Sequence, residues 1–177
     1  MDDNQILPSR EFAFDFLKKM KVPYHVRRHS LKVTDKALEI AEKIVKIEVD
    51  IDLIEIGALL HDIGRAKTHG FRHALIGAHL LREHGFSEKL ARICETHILG
   101  GLDKVDAVGV NLPERDFLPQ TIEEKIICLA DKHMAGTREV SIEERFNRWF
   151  LKYGKTQILI KAKKRIEDIQ EEIKNLM

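Results

Sequence analysis

The sequence of 177 residues has little of what marks disulfide scaffolds, disordered chains and membrane proteins. Its two cysteines, Cys94 and Cys128, lie in separate apolar stretches without CxxC spacing, which argues against a disulfide framework and a thiolate zinc site. Ten glycines and four prolines are too few for a low-complexity chain. No apolar run approaches the about 18 residues needed to cross a bilayer. These absences predict a globular protein of a reducing cytoplasm, with no membrane partner.

The sequence also has almost no excess of one sign of charge. Thirty Lys and Arg residues oppose 29 Asp and Glu residues, which leaves a net charge of +1. No overall field therefore steers the protein to nucleic acid or to an anionic membrane, and a nucleic-acid partner is not indicated. Residues 1–177 fall within the size of one domain, since chains split only beyond about 250 residues.

The apolar periodicity is helical almost everywhere, and no sustained alternation predicts a sheet. The fold class is therefore all-α, a bundle of about eight helices. The segment 100–120, with three glycines and two prolines, is predicted to be a long loop and a candidate lid. The predicted helices span about 9–21, 25–47, 52–62, 72–84, 87–98, 121–134, 141–153 and 155–176.

Several histidines and aspartates lie on the apolar faces of these helices. His29, for example, shares a face with Val26 and Val33, at the three- and four-residue spacing of one helix side. A buried ionisable group without a partner is costly, and neutral imidazoles cannot neutralise carboxylates, whereas metal cations do so. The six residues of this kind are His29, His61, Asp62, His73, His97 and Asp131.

These six side chains are the predicted metal ligands. A set of imidazoles and carboxylates suits Fe, Mn, Co, Ni or Zn better than Mg or Ca. Without thiolate ligands, the set is unlike a closed structural zinc site. An open, catalytic metal centre in the middle of the bundle is the expectation.

The same residues carry a resemblance to a known family. His29, then the pair His61-Asp62 within the sequence HDIG, then Asp131, resemble the signature of the HD-domain superfamily of metal-dependent phosphohydrolases. His73 and His97 stand where dinuclear members place two further histidines. That subgroup includes the bacterial symmetric diadenosine tetraphosphate hydrolases. The resemblance covers about 25–140, and the helices of 141–176 are expected to pack on this core or to form an oligomer contact.

The resemblance implies a chemistry and roles for the residues. Two divalent metals per chain, bridged by Asp62, would activate water to attack a phosphate ester or anhydride, so the protein would be a hydrolase of a nucleotide or a related small phosphate ester. We expect Asp62 and Arg65 to be catalytic. Arg65, Lys67 and Arg138 are the predicted substrate-binding cations. Arg65 replaces a lysine that is common in the diadenosine tetraphosphate hydrolases, and Gly101 stands where they have an arginine.

Two other functions stay open on the sequence alone. HD-fold enzymes with a mixed-valence di-iron centre use the same ligand set for oxygenase chemistry, which a dependence on oxygen would reveal. A non-catalytic nucleotide-binding module is the other alternative, although it would not need all six ligands. A homodimer through the last helix is a further hypothesis.

Overall fold

The computed structural model describes residues 7–177, which fold into a helical bundle. Side-chain caps begin most of the helices: Ser9, Asp50, Thr121, Ser141 and Thr156 each accept a hydrogen bond from a backbone N–H in the first turn. The nine α-helices of this part of the chain are α1 Arg10–Lys19, α2 Tyr24–Glu42, α3 Ile51–Leu60, α4 His73–Glu83, α5 Glu88–Thr96, α6 Lys104–Gly109, α7 Ile122–Lys132, α8 Ile142–Tyr153 and α9 Gln157–Leu176. The all-α prediction is confirmed.

Helix α3 is the centre of the bundle, with α1, α2, α5 and α7 packed around it. Seven of its ten residues are buried, which explains why it lacks the polar face of a surface helix. Gly57 allows the close approach of α5, since a Cβ there would lie 2.5 Å from Cδ1 of Ile93. The end of α3 therefore lies deep inside the protein.

The prediction of one long loop over 100–120 is wrong. The segment contains helix α6, capped by Asp103, and Leu102 and Phe117 form an antiparallel bridge. Leu102, Ala107 and Phe117 are almost fully buried, so the segment is part of the core. It contributes no residue to the large cavity described below, and the lid hypothesis is therefore wrong as well.

A second difference from the prediction is a short hairpin between α7 and α8. Strands β1 Met134–Ala135 and β2 Arg138–Glu139 pair antiparallel. Two paired residues per strand are too short to produce an alternating pattern in the sequence. The turn of this hairpin carries Gly136, with a φ of 63°, whose carbonyl oxygen lies 2.7 Å from Nδ1 of His29.

The last two helices complete the same bundle. The apolar stripe of α9, including Ala162, Ile166 and Ile173, is buried against α7 and the turn that follows α5. Arg165 donates to Asp106 at 2.6 Å, and Lys161 donates to the same carboxylate at 2.8 Å. This stripe therefore packs on the helices of the same chain. In residues 7–177 we find no helix with the length and apolar character of a membrane span.

Candidate metal centre

Five helices bring the six predicted ligands to one point. His29 lies in the second turn of α2 and Asp131 in the last turn of α7. His61 and Asp62 follow the end of the buried helix α3. The other two are His73, the first residue of α4, and His97, which directly follows α5. The structure thus places every predicted ligand at the centre of the bundle.

All four histidines are oriented in the same way. Nδ1 of His29 lies 2.7 Å from the carbonyl oxygen of Gly136, and Nδ1 of His61 lies 2.6 Å from that of Ala58. Nδ1 of His73 and Nδ1 of His97 lie 2.7 Å from the carbonyl oxygens of Gly70 and Cys94, in that order. A carbonyl oxygen only accepts hydrogen bonds, so each Nδ1 carries the proton. The lone pair of each neutral imidazole is therefore on Nε2. Backbone groups commonly hold metal-ligating histidines in this manner.

The four Nε2 atoms meet the two carboxylates. Nε2 of His29 lies 2.9 Å from Oδ1 of Asp131. Nε2 of His73 lies 3.0 Å from Oδ1 of Asp62, and Nε2 of His97 lies 3.4 Å from the same oxygen. His61 stands between the carboxylates, with its Nε2 3.8 Å from Oδ2 of Asp62 and 3.7 Å from Oδ1 of Asp131. Asp62 thus has one oxygen on each side of the cluster.

The polar atoms of this cluster fit a cation better than they fit one another. Nε2 of His61 and Oδ1 of Asp62 are buried and make no hydrogen bond of acceptable geometry. Nε2 of His73 and Nε2 of His97 are 3.1 Å apart, and both carry lone pairs when Nδ1 is protonated. Buried lone pairs at such distances repel each other unless a cation or a proton lies between them. The donor set and its unsatisfied atoms therefore fit divalent metal.

Three overlapping groups of ligand atoms are compact enough to hold an ion. Within each group the atoms lie no more than 4.8 Å from one another. Each group contains at least one carboxylate, and residues are shared between the groups. The groups are His29, His61 and Asp62; His61, His97 and Asp131; and Asp62, His73 and His97.

The protonation states also suit metal binding. Burial raises the pKa of the Asp62 carboxyl, but the surrounding imidazoles of His61, His73 and His97 together outweigh it, so this pKa lies well below its usual range. Burial likewise raises the pKa of Asp131, and the neighbouring Lys132 and His29 reverse the effect. Burial lowers the pKa of His97 to about 4. Near pH 7 both carboxylates are ionised and His97 is a neutral ligand.

Two glycines explain how His73 reaches the pair His61-Asp62. A Cβ on Gly64 would lie 1.9 Å from the carbonyl oxygen of His73, and one on Gly77 would lie 3.2 Å from the backbone nitrogen of Gly64. The turn Ile63–Ala66 and the first turns of α4 therefore touch backbone to backbone. The glycine of the HDIG sequence is needed for this contact.

Five of the six candidate ligands, all but His61, line a cavity of about 910 Å³. Asp62 and Asp131 are the cavity's only carboxylates among the described residues. The cations on the wall are Arg28, Arg65, Lys132 and Arg145, and the aromatic rings are those of Tyr24, Phe71, Trp149 and Tyr153. The cavity is thus suited to an anionic ligand with an apolar or aromatic part.

The structure separates the three predicted substrate-binding cations. Arg65 lines the cavity and donates from Nε to Oδ2 of Asp62 at 2.7 Å. Lys67 is exposed and does not line the cavity. Arg138 is exposed on β2, also outside the cavity, and donates to Glu144 at 2.6 Å. Of the three, only Arg65 is brought to the metal centre.

Sequence reasoning missed three of the cavity's four cations, Arg28, Lys132 and Arg145. Nζ of Lys132 is buried and donates to the carboxylate of Asp131 and, at 2.9 Å, to the carbonyl oxygen of His97. Arg145 on α8 donates from Nε to the carbonyl oxygen of Lys132 at 3.1 Å. Lys132 could have been noticed as a lysine beside a buried aspartate. No local signal distinguishes Arg145 from Arg148, the other arginine of α8.

Comparisons with known proteins agree with this geometry. The chain is 43% identical over 169 residues to an uncharacterized protein of Methanocaldococcus jannaschii, covering 94% of this chain and 98% of the relative. It is 36% identical over 140 residues to a tRNA (cytidine(56)-2'-O)-methyltransferase of Thermoplasma volcanium, covering 79% of this chain and 40% of that protein. The corresponding methyltransferase of Picrophilus torridus is 31% identical over 170 residues, covering 96% of this chain and 48% of its own length. The chain thus spans less than half of these two methyltransferases.

The fold is also found in a solved structure. The HD domain of the Listeria monocytogenes phosphodiesterase PgpH, crystallised with cyclic-di-AMP, superposes with a TM-score of 0.55 at 21% identity, covering 92% of this chain and 95% of that one. Residues 26–136 match the HD domain family, and they include all six ligands. The resemblance to the diadenosine tetraphosphate hydrolases stays a prediction. The chain belongs to the HD domain family.

Proposed function

We propose that this protein is a metal-dependent phosphohydrolase that acts on a nucleotide or a related small phosphate ester. The observation that carries the proposal is the position of the six-ligand cluster at the wall of a cavity with four cationic side chains and no other carboxylate among the described residues. Such a cavity attracts an anion to the metal centre. The HD domain of PgpH, with the same fold, is a phosphodiesterase domain crystallised with a cyclic dinucleotide.

We propose two metals per chain, chosen from Fe, Mn, Co, Ni and Zn. His29, His61, Asp62 and Asp131 would hold one, and His73 and His97 the other, with Asp62 shared because its two oxygens face opposite sides of the cluster. When bound, such metals act as Lewis acids toward phosphoryl oxygens and make water nucleophilic near neutral pH. Six ligands for two ions leave coordination positions free for water and substrate.

The chain's own residues hold the carboxylates in place. Arg65 donates from Nε to Asp62 and from Nη1 to the carbonyl oxygen of His69 at 3.2 Å, so its guanidinium is fixed beside the shared ligand. Lys132 holds Asp131 in the same way. The Nη2 atom of Arg65 remains available to the cavity. Arg65 therefore positions Asp62 and stabilises negative charge that develops on the phosphoryl group.

Lys67 and Arg138, which the sequence predicts to bind substrate, are not part of the proposed substrate-binding site. Neither side chain lines the cavity, and Arg138 is already paired with Glu144. Arg28 and Arg145 do line it, on helices α2 and α8. These two arginines are the proposed additional phosphate-binding groups.

Metal analysis and a substrate screen test the proposal. Protein purified without chelators is analysed for metal, and release of phosphate or of a nucleoside phosphate is measured with nucleotides, dinucleoside polyphosphates, cyclic dinucleotides and short oligoribonucleotides. We expect metal-dependent hydrolysis of at least one class, abolished in Asp62→Asn and retained in Asp168→Asn, which changes an exposed carboxylate of α9.

The same assays separate the alternatives. Turnover that requires oxygen and releases no phosphate would indicate the di-iron oxygenase instead. Tight nucleotide binding with no turnover under any metal would indicate a binding module. The four cations on the cavity wall favour a ligand that carries phosphate, and metal-dependent release of phosphate decides for hydrolysis. A homodimer is tested separately by sedimentation equilibrium.

A further inference from the structure

Helix α8 forms a wall of the cavity although it lies outside the residues that match the HD domain family. The match ends at residue 136, and α8 spans Ile142–Tyr153. Three of its side chains line the cavity, at a spacing of four residues: Arg145, Trp149 and Tyr153. This spacing places them along one face of the helix. The face that α8 presents to the metal centre is therefore both cationic and aromatic.

Arg145 differs from Arg148, the other arginine of α8, because it has no acidic partner among the described residues. Arg148 forms an ion pair with Glu144 at 2.9 Å, whereas no carboxylate lies within 4.0 Å of Arg145 among residues 7–177. The guanidinium of Arg145 instead donates to the backbone carbonyls of Lys132 and Asp131, at 3.1 and 3.4 Å. These bonds fix a full positive charge beside the metal ligand Asp131. The Nη1 atom makes no hydrogen bond within the described chain and can donate to a phosphate oxygen.

Trp149 provides a flat apolar surface beside this charge. The guanidinium carbon of Arg145 lies 5.2 Å from the centre of the indole ring. The indole also packs edge to face on the buried ring of Phe146, with the ring centres 5.1 Å apart, which holds it in position. Helix α2 also lines the cavity, with Tyr24 and Arg28, a second pairing of a ring with a cation. These rings and cations are the groups that recognise a planar aromatic group attached to phosphate.

We propose that α8 forms a nucleobase-binding subsite, in which Trp149 stacks on the base and Arg145 binds a phosphate of the same ligand. The inference rests on the proposed phosphohydrolase function and narrows its substrate to nucleotides with an unpaired base, as opposed to simple phosphate monoesters. A cavity of about 910 Å³ is much larger than a phosphate group requires, and its lining beyond the ligands is largely apolar. Stacking on an aromatic side chain tolerates different bases. We therefore expect nucleotides to bind more tightly than phosphates that lack a base, and nucleotides with different bases to bind with similar affinity.

The single tryptophan of the chain makes the subsite directly observable. The metal-loaded wild-type protein is titrated with adenosine 5'-phosphate and with ribose 5-phosphate, and Trp149 fluorescence is read immediately after mixing. We expect adenosine 5'-phosphate to quench the emission and to bind roughly 10-fold or more tightly than ribose 5-phosphate. Equal affinities and unchanged emission with both ligands would overturn the inference. This comparison needs no substitution and is independent of any effect on folding.

Matched variants then assign the roles, with affinities measured by calorimetry and folding checked by thermal melting. Trp149→Leu should weaken binding of adenosine 5'-phosphate roughly 10-fold and leave ribose 5-phosphate unchanged, whereas Trp149→Phe should keep most of the difference. The control Leu151→Ala changes an 88% exposed residue of the same helix outside the cavity and should alter neither ligand. Arg145→Gln should weaken both ligands, and the control Arg148→Gln should not.

The two proposals fail in different ways. If adenosine 5'-phosphate quenches Trp149 but no metal-dependent hydrolysis is found for any nucleotide, the phosphohydrolase function is wrong and the subsite stands. If hydrolysis is found with the same kcat/KM for nucleotides and for base-free phosphate esters, and Trp149→Leu does not change it, the subsite is wrong and the function stands.

Discussion

Gly64→Ala should disrupt the metal centre without changing any ligand. In the structure, a Cβ at this position would lie 1.9 Å from the carbonyl oxygen of His73 and 2.6 Å from the backbone nitrogen of Gly77. Real Cβ contacts are essentially never shorter than 3.0 Å, so the turn and helix α4 must separate by about 1.1 Å. Both obstacles are backbone atoms, which no side-chain rotation can remove.

The separation moves His73 relative to Asp62, which stays at the end of the buried helix α3. A misplacement of about 1 Å in a catalytic constellation costs on the order of 100-fold in rate, and overpacking costs about 1–3 kcal/mol of stability. We therefore expect Gly64→Ala to lower kcat/KM by about 100-fold and to reduce metal content, with a lower melting temperature and nearly unchanged helix content by circular dichroism.

Two other glycines of the same region are graded controls. A Cβ on Gly77 would meet its nearest neighbour at 3.2 Å, and one on Gly70 would meet nothing within 4 Å. We expect Gly77→Ala to have a small effect and Gly70→Ala to resemble the wild type. Metal content and turnover of Gly64→Ala equal to those of Gly70→Ala would show that the contact of Gly64 with α4 does not position His73.

Three further predictions concern the ligands. Asp62→Asn should abolish metal binding and turnover while most helix content remains, and metal content equal to that of Asp168→Asn would contradict the site. Replacing both His73 and His97 by Ala should lower bound metal from about two ions per chain to about one, measured by elemental analysis, whereas a wild type with a single ion that the double variant keeps would refute the dinuclear proposal. The third prediction concerns the metal-free protein, kept in that state by a chelator. Burial lowers the pKa of His97 to about 4, so the unfolded chain takes up a proton near pH 6.5 that the folded state does not bind. The contribution of His97 to the free energy of unfolding is therefore fully present above pH 6.5. It is lost as the pH falls toward 4, by up to about 3 kcal/mol. Urea unfolding of His97→Gln should show a smaller decrease in the free energy of unfolding between pH 6.5 and pH 4 than the wild type shows. Equal decreases in the two proteins would disprove this role of His97.

Residues that act through their own helix could be identified from the sequence. The caps Ser9, Thr121 and Ser141 and the apolar faces of the helices are local features, since capping and helix periodicity depend on residues within one or two turns. The ligands could be found for the same reason. A histidine or aspartate on an apolar face must be buried, and burial of several such groups requires a cation.

Local patterns failed where long-range contacts determine the conformation. The glycines and prolines of 100–120 predict a loop, but α6 forms because Asp103 caps it and Lys161 and Arg165 of α9 bind its carboxylates. The hairpin β1–β2 is too short for a pattern, although its turn supplies the carbonyl that orients His29.

The assignment of the cavity cations depended on the tertiary structure. Lys67 follows the HD pair closely, yet its side chain lies outside the cavity, whereas Arg145 is distant in sequence and donates to the carbonyls of Lys132 and Asp131. The sequence by itself determined the helical class and identified the six candidate ligands, because both depend on the faces of single helices. Only the tertiary position of α8, which packs on α9 and donates through Arg145 to the last turn of α7, decided which cations and rings face the candidate metal centre, since no local pattern encodes how these segments meet.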